Sequence, residues 1–192
     1  MKSLFISALL LGMAACQSNP TIPATASVSA PEAAKAEWIN VNTLTVNGQP
    51  HQPLTTQALK RQLGRPDSIA KGVVECGGEL ATQNSPVGDF WYYGKTMYEV
   101  NGPQAVLASF DVTAGKFEGK LGQLELNRNT TLEEASRFFP SSARDAAVPD
   151  AGHLEMKTMS LPFEYNGEQT DDHLNLIFEK GRLKEVEFYS PC

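Results

Sequence analysis

Residues able to do metal or covalent chemistry are scarce here: three cysteines and three histidines in 192 residues. No Cys-x-x-Cys occurs, no histidine stands beside a cysteine, and His51, His153 and His173 form no ligand-spaced pair. The usual zinc spacings are therefore absent. Ser85, Ser109, Ser141 and Ser142 lack a nucleophile-elbow motif, and no glycine-rich phosphate loop is present. Cys76-Gly77-Gly78 reads as a hairpin end. Glu133 and Glu134 are neighbours on a predicted helix, where adjacent side chains diverge and carboxylates favour the helix start. Asp171-Asp172-His173 after Glu168 offers a carboxylate-histidine metal site or the polar mouth of a hairpin; local hydrogen bonding in turns favours the hairpin. The expectation is a protein without catalytic residues, metal or cofactor.

Basic residues are also in deficit. There are 16 Lys and Arg against 22 Asp and Glu, a net charge of −6. That argues against nucleic acid and against electrostatic binding to anionic lipid. The one long apolar run, Leu4 to Met13, is too short to span a bilayer.

What is present begins with that run. Lys2, the apolar stretch and Ala14-Ala15-Cys16 make a secretory leader (residues 1–15) ending in a lipobox, with Met13 a less usual residue in it. Cleavage before Cys16 leaves a lipidated mature N-terminus. Gln17, not Asp, follows it, which in enterobacterial lipoproteins favours the outer membrane. Lys2 is the only charged side chain of the leader, so the mature side chains sum to −7. Residues 16–37 carry Pro, Ala, Ser and Thr without apolar periodicity and read as a disordered tether. Its ends would lie about 25 Å apart as a coil and ~70 Å apart fully stretched. With Cys16 lipidated, Cys76 and Cys192 remain and read as one disulfide in an oxidising compartment. Its loop of more than a hundred residues makes it worth on the order of 4 kcal/mol in the chain-entropy model.

From Trp38 the chain reads as duplicated, with units at 38–122 and 123–192. Leu44-Thr45-Val46-Asn47 and Leu124-Glu125-Leu126-Asn127 open the two copies as strands. A helix follows each. The first is capped by Thr55 or Thr56 and stopped by Gly64 and Pro66. The second is opened by Thr130 with Glu133, or Thr131 with Glu134, before Pro140. Tyr98-Glu99-Val100-Asn101-Gly102 then parallels Phe163-Glu164-Tyr165-Asn166-Gly167, and Gly115-Lys116-Phe117 parallels Gly181-Arg182-Leu183. The predicted fold is α+β: two tandem repeats, each a helix with an antiparallel meander, the helices packed on one face of the sheet.

A capped helix, a Gly-Pro stop and a meander, occurring twice behind a lipobox, resembles the tandem repeat of the β-lactamase inhibitory protein family. It also resembles the small lipoprotein of the outer-membrane β-barrel assembly machine, which carries one such unit. Leu54 to Pro66 with Val73 to Phe110, and Leu126 to Pro140 with Leu161 to Phe188, carry the resemblance. The cysteine pair usual inside each repeat is missing; each half holds one cysteine. The resemblance implies a scaffold that binds protein through an open sheet face.

Phe90-Trp91-Tyr92-Tyr93 puts aromatics at four consecutive positions, two per face of a strand. Trp91 and Tyr93 are expected outside as partner anchors, with Phe90 and Tyr92 inside; Tyr98 and Tyr189 are further outer-face candidates. The expected function is a protein-binding module on an outer-membrane-anchored lipoprotein facing the periplasm. It would contact another envelope protein, as an inhibitor or immunity protein in one form. The alternative is an accessory structural subunit of an envelope assembly or secretion machine.

Overall fold

The computed structural model describes residues 37–74, 78–146, 155–165 and 167–191. Cys16 with the leader and most of the tether, both members of the expected Cys76–Cys192 pair, and His153 lie outside the described residues.

The first elements are β1 (Ile39–Asn40), a 3-10 turn at Val41–Thr43, β2 (Leu44–Val46), β3 (Gln49–Pro50) and β4 (Leu54–Thr55). Asn47 and Gly48 take φ of 50° and 74°, the left-handed geometry that the two-residue β2–β3 hairpin requires. Helix α1 (Thr56–Leu63) is capped by Thr55, whose hydroxyl accepts from the Ala58 N–H at 3.1 Å. A meander follows: β5 (Ser68–Val74), β6 (Gly88–Tyr93), β7 (Thr96–Asn101) and β8 (Gln104–Asp111). The short hairpin β9 (Gly119–Leu121) and β10 (Leu124–Leu126) leads to α2 (Leu132–Phe138). Thr131 caps α2 by accepting from the Glu134 N–H at 3.1 Å. Pro140 opens α3 (Pro140–Arg144), a position where its missing N–H costs nothing. Three long strands close the chain: β11 (Met156–Tyr165), β12 (Glu168–Glu179) and β13 (Arg182–Tyr189).

Nine strands share one sheet in the order β1-β11-β12-β13-β8-β7-β6-β5, with β4 beside β8. A second sheet runs β10-β9-β2-β3. One face of the large sheet supplies Leu107, Phe110, Met159, Leu161, Leu174, Leu176, Phe178 and Val186 to a common core. Leu44, Leu121, Leu124 and Leu126 enter that core from the small sheet, Leu59 from α1 and Ala135 from α2. Each of these Leu, Val, Met and Phe side chains contributes roughly 1.5–3 kcal/mol through burial, and Ala135 less. The layers meet most closely at Gly119. A Cβ there would lie 2.9 Å from Phe110 Cζ and 3.3 Å from Leu126 Cβ.

This architecture overturns the predicted α+β fold of two tandem helix-plus-meander repeats with helices on one sheet face. The described residues are 52% strand and 16% helix. The three α-helices among the described residues have only eight, seven and five residues, too little to cover so wide a sheet. The small sheet supplies much of the covering layer instead. The two meanders also fuse, because β8 pairs directly with β13 through Phe110 and Val186. The boundary expected between residues 122 and 123 falls in the β9–β10 hairpin, where Leu121 pairs with Leu124.

Candidate functional site

Strand β6 pairs with β7 so that Trp91 lies opposite Tyr98 and Phe90 opposite Glu99. The expected facing of this aromatic strand is reversed. Trp91 and Tyr98 are each 8% exposed and belong to the core. Tyr93 packs against that core, meets the Tyr98 ring edge-on at 5.8 Å, and donates its hydroxyl proton to the Gly64 carbonyl at 3.3 Å. Phe90 and Tyr92 fall on the opposite face, half-buried. The cause is α1, which sets Lys60 Nζ 4.7 Å from the centroid of the Trp91 ring and buries Leu59 nearby. Of the four expected anchors, Tyr189 alone is widely exposed, at 47%.

The face turned away from the core is therefore the candidate site. It carries Phe90 and Tyr92 on β6, Met97 on β7, Ser109 and Asp111 on β8, and Glu185, Glu187 and Tyr189 on β13. Glu185 lies directly across from Asp111, and Glu187 across from Ser109. Like charges directly opposite destabilise a strand pair. Burial pushes the Glu185 carboxyl above its usual pKa, and Glu187 and Asp111 push it further; a Ser109 hydrogen bond and Lys184 act the other way. Partial neutralisation comes from Lys95, 3.8 Å from Asp111, and from Asn175, which donates to Glu187 at 3.0 Å. His173 sits opposite Tyr189 on β12, with ring centroids 6.4 Å apart. Its buried Nδ1 has no hydrogen-bond partner among the described residues.

Asp171, Asp172 and His173 lie within β12, at positions that alternate between faces. Among the described residues no group of three or more His, Cys, Asp or Glu is arranged to hold a metal ion. No described helix is long and apolar enough to cross a membrane.

A second polar cluster was not foreseen. Strand β8 pairs with β4 through Ala105 and with β13 through Ser109 to Asp111, leaving Leu107 between them. His51 fills that gap: its Nε2–H donates to the Leu107 carbonyl at 2.9 Å, and its ring stacks on Phe188 at 3.7 Å. Burial lowers the His51 pKa, against the pull of that hydrogen bond. Glu79 lies 3.9 Å from His51 Nε2. Its side chain keeps 43% of its exposure, and partial burial, then Glu99 and Asp172, raise its pKa to about 7. Both shifts favour neutral forms, so the pair is not a strong ion pair. Glu99 holds the covering loop by accepting the Glu79 and Leu80 N–H groups, each at 2.8 Å. A lone histidine after Gln-Pro carries no motif, so only the long-range packing reveals it.

Comparison with protein-family models, with curated proteins and with solved structures finds no match.

Proposed function

We propose that this chain is an outer-membrane-anchored periplasmic lipoprotein that binds another envelope protein on the open face of its large sheet. One observation carries the reading. The side of a nine-stranded sheet facing away from the core holds Phe90, Tyr92, Met97 and Tyr189 beside the facing carboxylates Asp111 and Glu185. Aromatic anchors bury large areas at low entropic cost. Asp111 is buried and met by Lys95, so the part-exposed carboxylates of Glu185 and Glu187 are the ones that favour a partner bringing Lys or Arg. The lipobox at Cys16 and the tether behind it support placement at a membrane surface, with the sheet held off it.

Capture of the lipidated full chain from detergent-solubilised membranes tests this, with the co-purifying protein identified by mass spectrometry. Replacing Tyr92 and Tyr189 together by Ala should lower recovery of the specific partner by about tenfold or more. The fold should survive, since neither residue belongs to the fully buried core. Undiminished capture by a folded double variant would refute the assignment of this face. A hydrolase or toxin as the captured protein identifies an inhibitor or immunity role; a machine component identifies an accessory subunit.

A further inference from the structure

On the covered side of the large sheet, a cleft of about 200 Å³ opens between β3, α1 and the β7–β8 pair. Leu107 and Phe117 form its apolar floor, and Gln52 and Gln62 stand at its exposed rim. Tyr98 and His51 complete the wall. No Asp, Glu, Lys or Arg lines it.

We propose that this cleft binds a small uncharged molecule: an apolar body about the size of one aromatic ring, bearing a hydrogen-bonding group. Three independent features point to that class. The first is size, since an apolar cavity of about 150 Å³ accepts benzene. The second is neutrality. The lining groups are hydrocarbon, carboxamide, phenol and imidazole, so a charged ligand would lose its water without gaining a counter-charge. His51 stays neutral because burial lowers its pKa. The third is Tyr98. Only 8% of it is exposed, and its pKa is pushed up to about 12 by burial and by Tyr93. Its phenol stands in the cleft wall and supplies an O–H donor that a ligand acceptor can meet. The cleft lies on the opposite side of the sheet from the protein-docking face, so it stands whether or not that face binds a protein.

Benzamide, benzoate and benzylammonium have similar size and shape and differ in charge, and they serve as the probes. The full chain is titrated with each, and NMR shifts of the Tyr98 ring and the Gln62 side-chain amide are followed. Benzamide should bind saturably, on the order of millimolar. The two charged probes should bind at least about tenfold more weakly. Tyr98→Phe should weaken benzamide about three- to tenfold, because the ligand loses the phenol donor. Unweakened benzamide binding by a folded Tyr98→Phe variant would overturn the role given to that hydroxyl. Gln62→Arg, on an exposed helix position, should shift preference toward benzoate. Absence of benzamide shifts, equal binding of all three probes, or unaltered selectivity in Gln62→Arg would each overturn the proposal.

Discussion

At the scale of single residues, the most consequential side chain is Glu79, which no sequence signal marks. It is pushed to a pKa of about 7 by burial and by the carboxylates of Glu99 and Asp172, with His51 and Tyr165 also nearby. A carboxyl with a raised folded pKa binds its proton more tightly folded than unfolded. Stability is therefore lost as pH rises from its ordinary value of 4.5 to about 7. His51 acts in the opposite sense. Its pKa is lowered from 6.5, so below that value the unfolded chain takes up the proton more readily and stability rises with pH. Replacing Glu79 by Gln isolates the first effect. The variant should melt higher than the parent at about pH 8, and the difference should close as pH falls to about 4. Equal melting temperatures across that range would mean that the carboxyl is not held in this like-charged setting. Aromatic facing belongs to the same scale. Four aromatics in a row announce a strand with a buried and an open side. Two-fold alternation is symmetric, however, and only α1 with Lys60 over Trp91 decides which pair goes inside.

At the scale of elements, local chemistry was readable wherever a cap or turn has its own sequence signal. Thr55 and Gly64 bound α1, Thr131 caps α2, and left-handed Gly102 and Gly181 mark the turns after β7 and β12. The small sheet was not readable. Its strands have three residues or fewer, and β2 pairs with β9 across more than seventy positions of chain. Nothing within a short window encodes that pairing, and so the covering layer was expected to be helical. Gly119 is the point where the layers press together. Gly119→Ala drives a methyl against the fully buried Phe110 ring and should cost about 1–3 kcal/mol, read as a lowered urea midpoint with unchanged slope. An unchanged midpoint would mean that the two sheets do not pack this closely.

At the scale of the whole molecule, the decisive feature is the β8–β13 junction, which joins two meanders into one sheet through Phe110 and Val186. Internal similarity between the two halves hints at two units but not at their fusion, because the joining pairs lie far apart in sequence. Fusion is also what creates the docking surface: Tyr92 of one meander and Tyr189 and Glu185 of the other come to share one broad face, with the buried Asp111 directly across from Glu185. A protein partner should therefore touch both meanders at once. Site-specific photo-cross-linking in cells producing the full chain tests this most directly. A photoreactive residue is placed in turn at position 92, at position 189, and at the exposed helix position 61 on the covered side. Adducts to one and the same protein from positions 92 and 189, with none from 61, are the expected result. Adducts from position 61 with none from 92 or 189 would contradict a partner docked on the open sheet face.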